Sequence, residues 1–330
     1  MPEQSPHLPV MLDEVVEALD PRPGNTIVDG TFGAGGYSRA LLDRQVRIVG
    51  LDRDRSALSM AAETGLTDEP LLNLHECRFS ELLTIVEPSS VDGVVLDIGV
   101  SSMQLDRAER GFSFLRDGPL DMRMSAEGPS AADVVNELSQ ADLLRVIGIY
   151  GEERNAPKIA RKIVEARRAT PITTTERLAE LVEDAVPRRA GDRIHPSTRT
   201  FQGLRIYVND ELGELAGGLV AAEQALKPGG VLAVVTFHSL EDRMVKKFFA
   251  DRFGGSRGSR HMPNEDDRAP TFEQIGKQGL GPTDAEIARN PRARSARLRA
   301  GRRLDATART DRSFAKLPDL PPVHALGASR

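Results

Sequence analysis

Between residues 26 and 97 short apolar runs alternate with helical stretches, and this alternation restricts the chain to one class of architecture. TIVDGTF, VRIVGLD, LLNLHEC and VDGVVLDIG read as strands, with YSRALLDR, SALSMAAE and SELLTIV as helical stretches between them. Strands so rich in β-branched residues are buried on both faces. Helices between successive strands carry the chain back to the same edge, so the sheet is parallel and covered on both sides. The expected fold class is α/β, a Rossmann-like doubly wound sheet.

The alternation stops after Gly99. Residues 104–124 are rich in Gly, Pro, Asp and Arg, lack periodicity, and are too many for an ordinary connection. Four helical patterns follow, near 131–147, 156–168, 175–186 and 200–226, with apolar residues at three- and four-residue spacing in IARKIVEARR and TERLAELVEDAV. LKPGGVLAVVTFHS then reads as a helix end, a turn and a buried strand, and LEDRMVKKFFADRF as the next helix. SARLRA reads as a last edge strand, and 254–284 as polar and irregular. The domain expectation is one α/β domain in two parts, 1–103 and 201–312, interrupted by a long loop and an all-helical insertion over 104–200. A mobile tail over 313–330 completes it.

The first strand ends in an acid and runs into glycines: Asp29, Gly30, Thr31, Phe32, Gly33, Ala34, Gly35, Gly36. A glycine-rich turn between strand and helix lets a ligand approach the backbone and offers the amides of a helix N-terminus. The second strand ends in Asp52, placed to accept hydrogen bonds from both hydroxyls of a ribose. Turn plus acid indicates a nucleoside cofactor. The G-x-G-x-x-G spacing of dinucleotide enzymes is not met, because Gly33, Gly35 and Gly36 place the third glycine one position early. Asp29 would oppose a pyrophosphate but suits the ammonium of a methionine moiety, which favours S-adenosylmethionine over NAD. Asp97 closes the fourth strand at the same edge, where such folds bind ligands. Phe79, after the third strand, either flanks an adenine or packs in the core.

Composition narrows the classes of function. With 39% apolar and 28% charged residues the chain can bury a core, and no run approaches the twenty or so apolar residues of a membrane span. Its single cysteine, Cys77, excludes an internal disulfide and any cluster built on several thiolates. The N-terminal residues lack a signal-peptide profile, and a cytoplasmic, non-membrane protein is expected. The net charge of −5 disfavours a phosphate-rich partner on average, but nine arginines against two aspartates over 289–312 form a basic patch. Another lies over 158–168, and an acidic average with local basic patches suits contact with nucleic acid on one face.

HLPVMLDEVVEAL, DGTFGAGGYSRALL, VLDIGVSSMQLDRAERGFSFLRDGPLDMRM, YGEERNAPKIARKIV, HPSTRTFQGLRIYVNDEL, FHSLEDRMVKKFF and NPRARSARLR together resemble one family, the bacterial ribosomal RNA small subunit methyltransferase H (MraW) family. The resemblance runs in order over nearly everything from position 7 to about 299. It implies a class I methyltransferase sheet with a helical insertion and S-adenosylmethionine as cofactor. It also implies methylation of N4 of a cytidine in the decoding centre of 16S rRNA, within the small ribosomal subunit. The cofactor contacts it implies fall at Gly35, Gly36, Tyr37, Asp52, Phe79, Asp97 and Gln104. Tyr37 stands where the family often has histidine, so a side-chain role there is not carried over. Asp29 and Gly33 come from the charge and turn arguments instead.

The exocyclic amine of cytosine is a poor nucleophile because its lone pair is delocalised into the ring. An acceptor on its N–H can turn the lone pair toward the methyl group, and positioning then supplies most of the rate. Many amino-methyltransferases use an Asp/Asn-Pro-Pro-aromatic motif for this; the chain has DIGVSS there. The candidates for orienting the amine are Asp97, Ser101, Ser102 and His238. His238 could also take the departing proton, or be a hydrogen-bonded structural residue at a strand end. Phe112 and Phe114 could stack on an extruded base or anchor the loop. Arg188, Arg189, Arg193, Arg199, Arg292, Arg294, Arg297 and Arg299 are the candidate phosphate contacts. Alternate arginines in RARSARLR are equally the outward face of a strand. No metal is expected, and a homodimer is open. The rival readings are an NAD-dependent oxidoreductase, a non-catalytic ribosome-assembly RNA-binding protein, and a methyltransferase acting on DNA or protein.

Overall fold

In the computed structural model the described residues are 9–125, 127–188, 191, 194–254 and 268–326. They fall into two compact units. The first comprises residues up to Gly99 together with Gly213–Lys316; the second comprises Val100–Leu212 together with the chain from Leu317 onward.

The first unit holds one seven-stranded sheet: β1 Thr26–Asp29, β2 Arg47–Asp52, β3 Leu72–Glu76, β4 Val91–Asp97, β5 Leu226–Thr236, β6 Phe272–Leu280 and β7 Arg297–Arg303, in the order β3-β2-β1-β4-β5-β7-β6. β1 to β5 are parallel, while β7 runs antiparallel to both of its neighbours, β5 and β6. This is the doubly wound α/β sheet that the alternation implies, in the class I form that the family resemblance implies. Strand order reverses beside β1, which pairs with β2 on one side and β4 on the other. The carboxyl ends of these strands therefore border the crevice where open α/β sheets bind ligands.

The residues dictate this arrangement simply. Val28, Val94, Leu96, Leu232 and Val234 are buried on one face; Ile27, Val95, Val231, Ala233 and Val235 are buried on the other. That second face joins one core with Val15 and Leu19 of the Leu12–Leu19 helix and Leu41 of the Gly36–Leu42 helix. No helix among the described residues is long and apolar enough to cross a membrane.

Several elements depart from the sequence reading. SARLRA forms no edge; β7 lies inside the sheet, and β6 is the edge, within the stretch read as irregular. β6 escaped notice because FEQIGKQGL carries Gly, Lys and Gln on a largely exposed strand, and because its register breaks between Ile275 and Leu280, where Gly276 and Gly279 have positive φ. SELLTIV is a 3-10 turn, Phe79–Thr84, instead of an α-helix.

The second unit is helical. The pattern near 131–147 is two helices, Ala131–Glu137 and Gln140–Arg145, because Leu138 is extended and Ser139 caps the second by accepting from the Asp142 amide. Ser130 and Asp133 form a reciprocal capping box on the first. Ala156–Arg167 and Thr175–Ala185 follow as expected. The pattern near 200–226 breaks at Asn209 and Asp210, the latter left-handed at φ 46°, so that Ser197–Val208 ends here and Glu211–Ala225 begins. The second unit runs on to Leu212, just past this break. Within the stretch expected as a mobile tail, two residues are bonded to helices of the unit. Tyr207 donates to the Pro321 carbonyl at 2.7 Å, and Arg145 donates to that of Asp319.

In the first unit Arg252 and Glu223, both 0% exposed, pair at 2.9 Å. Arg252 also bonds Asp251 and the Asp311 carbonyl, and lies over the rings of Phe248 and Phe314. Breaking one side of such a pair strands a buried charge. Glu223→Ala should cost about 3–5 kcal/mol. Arg302→Ala, at a part-exposed pair with Glu273, should cost under about 1 kcal/mol. Urea denaturation of the two variants, compared with the parent, measures both.

Candidate functional site at the carboxyl edge of the sheet

Three of the predicted acids, Asp29, Asp52 and Asp97, end β1, β2 and β4 at the strand-order reversal. Their surroundings follow from the DGTFGAGG run. Asp29 is fully buried and accepts from the Ser38 hydroxyl at 2.7 Å and the Thr31 amide at 3.4 Å. Burial pushes its carboxyl up to about 6 against these bonds. Asp52 accepts from the Gly33 amide and the Asp54 amide, each at 2.8 Å, and burial likewise pushes it up to about 6. Asp97 is raised well above the ordinary carboxylate range, first by burial and then by Asp29, Glu241 and Glu286. Its Oδ1 is buried without a hydrogen-bond partner. Its amide donates to the Thr31 hydroxyl at 2.7 Å, which ties the end of β4 to the glycine turn.

The turn itself is built for close approach. Gly33 sits at φ +54°, and a β-carbon there would meet nothing nearer than its own loop at 3.8 Å, so its outer side is open. Gly35, at φ +74°, caps the Gly36–Leu42 helix and packs against Leu66 and Phe32. Tyr37 follows Gly36; its ring is buried and its hydroxyl donates to the Val10 carbonyl, so the side chain is structural. Phe79 is half-buried, and its ring lies against Gly218, where an added β-carbon would come within 2.2 Å.

An arrangement of desolvated carboxyls beside an open glycine turn is hostile to an anion and complementary to a ligand that carries positive charge and hydroxyls. The orphaned Oδ1 of Asp97 and the open side of Gly33 fit an S-adenosylmethionine-like group, with Asp52 positioned for ribose hydroxyls. Thr31, Ser38 and Glu286 also belong to this site and were not anticipated. Thr31 and Ser38 lie in the DGTFGAGGYS run. Glu286, from the Asp284–Arg289 helix, had no signal in the chain, since only the fold brings it to the Met11 amide at 2.7 Å.

Of the two roles open to His238, its geometry accords with the structural one. It caps the Ser239–Arg252 helix, its Nδ1 receiving the Glu241 amide at 3.5 Å, and its Nε2 lies 2.8 Å from Oε1 of buried Glu241. Both ring nitrogens face that helix turn. In the second unit, Gln104 is buried, and its Oε1 accepts from the Ser101 amide at 3.0 Å while the Ser101 hydroxyl receives the Gln104 amide. The side chain of Ser102 lies outside the described residues, as do Arg189 and Arg193.

Of the loop aromatics, Phe112 is buried beneath Arg110. Phe114 packs on His195 and Phe201, with centroids 4.6 and 5.0 Å away. Both anchor the loop. Arg188, Arg292, Arg294 and Arg297 are exposed, and Arg199 is half-buried. Arg299 is a correction: it is buried and bidentate to Asp242, at 2.9 and 3.0 Å, so its fork is occupied.

Comparison with known proteins gives the family. The model of the MraW methylase family matches residues 4–304. A ribosomal RNA small subunit methyltransferase H of Agrobacterium fabrum is 55% identical over 322 residues, 97% of this chain and 94% of that protein. One from Brucella canis is 56% identical over 329 residues, covering 98% and 95%.

The raised carboxyls set a pH dependence. A buried acid whose folded pKa exceeds its unfolded value stabilises the fold fully below the unfolded value, and that contribution fades as pH rises through the folded one. For Asp29, between 3.8 and about 6, the loss is roughly 3 kcal/mol at most. Urea stability of the ligand-free protein should therefore carry a falling component between pH 4 and pH 6.5, and Asp29→Asn should flatten it. Equal slopes in the two proteins would contradict the burial of this charge.

Proposed function

This chain belongs to the MraW methylase family, and we propose that it transfers a methyl group from S-adenosylmethionine to the N4 amine of a cytidine in the decoding centre of 16S rRNA. The observation that carries the reading is the triad of acids, Asp29, Asp52 and Asp97, at the strand-order reversal of a class I sheet. Methylation of small-subunit rRNA is what the names of its relatives describe. The cytidine, its N4 atom and the assembled small subunit as substrate are the finer parts of the proposal.

S-adenosylmethionine supplies a methyl group made electrophilic by the positive sulfonium. Asp52 would take the ribose hydroxyls, and Asp29 would face the ammonium end. The backbone at Gly33, Gly35, Gly36 and Tyr37 would line the methionine portion, and Phe79 would flank the adenine. Asp97 and Gln104 are the remaining contacts that family membership implies.

On the substrate side Asp97 carries the chemistry. Its unpartnered Oδ1 accepts a hydrogen bond from the N4 amine and turns the nitrogen lone pair toward the methyl carbon. As the N–C bond forms and the S–C bond breaks, the nitrogen becomes positive and its surplus proton leaves to Asp97. A carboxyl raised by burial holds a proton better than an exposed one, which suits it to this transfer. Ser101 and Ser102 follow β4 and contribute to holding the base. His238 keeps a structural part at its helix cap. The exposed Arg188, Arg292, Arg294 and Arg297, with Arg199, contact phosphates and set the position of the RNA without reading its sequence.

The test is transfer of labelled methyl groups from S-adenosylmethionine to small ribosomal subunits lacking the modification, with the product nucleoside identified by mass spectrometry. N4-methylcytidine is expected. Asp52→Ala should weaken cofactor binding by about 1.5–3 kcal/mol, the worth of hydrogen bonds to a charged group. Asp97→Asn should leave cofactor binding nearer to that of the parent and lower the rate of transfer. A labelled base other than N4-methylcytidine, or no incorporation into subunits or naked rRNA by a protein that binds the cofactor, would overturn the assignment.

A further inference from the structure

We propose that Leu115 is an apolar wedge that enters the RNA base stack as the target cytidine leaves it. This rests on the methyltransferase reading above and adds a positioning residue to it. An exposed leucine alone is ordinary on a protein surface. Leu115 is unusual in its mounting.

It is 84% exposed, at the tip of the GFSFLRDGPL loop of the second unit. The loop is tied at both ends. On one side Arg110 accepts the Met122 amide on its carbonyl at 3.0 Å, and its guanidinium donates to the carbonyls of Arg123 and Met124. On the other, Gly118 and Thr175 exchange two hydrogen bonds, and the Leu120 amide donates to the Thr173 carbonyl. Gly118 passes so close to Ala108 that a β-carbon would lie 2.1 Å from its carbonyl oxygen. Between these ties, Phe112 is buried and Phe114 rests on the rings of His195 and Phe201. The Leu115 amide itself donates to the Ser113 hydroxyl at 3.2 Å. The aromatic residues of the loop point into the unit as a pedestal, and the leucine is held out in water.

The neighbouring charges favour RNA over protein as the partner. Arg116, next in the chain, is exposed. Asp117 is turned to the Thr175–Ala185 helix, where its carboxylate receives the Glu176 amide at 3.0 Å. Ile194, beside His195, is another exposed apolar residue of this unit, at 50% exposure. An apolar point with a cation at its side matches a base stack bordered by phosphate. A cytosine held in a stack does not present N4 in line with a sulfonium methyl, so such a base has to be extruded, and an apolar side chain inserted at the step favours the unstacked form.

The chain contains no tryptophan, so Leu115→Trp places a sole fluorophore at the tip. Mixed with small ribosomal subunits lacking the modification, this variant should lose a large part of its emission by stacking on a base, and become shielded from acrylamide. An unchanged spectrum in the presence of subunits, or a blue shift without quenching as on a protein surface, would overturn the wedge. Leu115→Ala should lower kcat/KM on subunits at least tenfold with cofactor affinity unchanged, while Leu115→Met should retain most of the activity. An alanine variant equal to the parent would also overturn it. Label transfer by the parent protein is scored separately, so loss of the wedge and loss of the methyltransferase reading give different results.

Discussion

Burying three carboxyls along one edge of a sheet is costly, and the first unit is organised around making that cost tolerable. Asp29 is held by the Ser38 hydroxyl and Thr31 amide, Asp52 by the amides of Gly33 and Asp54, and Asp97 keeps an oxygen with no partner. None of the three is solvated enough to ionise at its ordinary pH. A cationic ligand with hydroxyl groups relieves this strain, and a dinucleotide pyrophosphate would worsen it. The selection of S-adenosylmethionine is thus an electrostatic consequence of where the strands end.

The sheet is what brings the acids together. β1, β2 and β4 each end in aspartate, and the reversal of strand order leaves a crevice beside β1. Thr31 then joins two of these ends by accepting the Asp97 amide. Away from the crevice, the pair of Arg252 and Glu223, with Asp251, Arg303 and Arg309 around it, fastens the segment after β7 to the helices beneath. Electrostatics is used twice in this unit, once satisfied for stability and once left open for binding.

Much of this was legible in the chain. The strands β1, β2, β4 and β5 announce themselves through continuous apolar runs, β3 more weakly through LLNLHEC, and the acids Asp29, Asp52 and Asp97 through their position at strand ends. The glycine spacing separated one cofactor class from another. What escaped notice depended on tertiary pairing. β6 has an edge strand's composition and a broken register. Arg299 reads as a phosphate contact until Asp242 is seen opposite it, and His238 as a base until Glu241 closes its cap. Glu286 is far along the chain from Met11, whose amide its carboxylate accepts. The helix break at Asn209 and Asp210 lacks Gly or Pro, and its left-handed turn is held by long-range bonds from the Asn209 side chain to Met122 and Met124.

Burial leaves Asp29 and Asp52 partly protonated near pH 6 until the cofactor arrives. Calorimetric titration of the ligand-free protein with S-adenosylmethionine at pH 6, repeated in buffers of different ionisation enthalpy, reads this protonation. Net proton release on binding is predicted, because the positive ligand draws Asp29 and Asp52 toward their ionised forms. The release should fade by pH 8 and diminish in Asp29→Asn. A binding heat at pH 6 that is independent of the buffer would contradict the account.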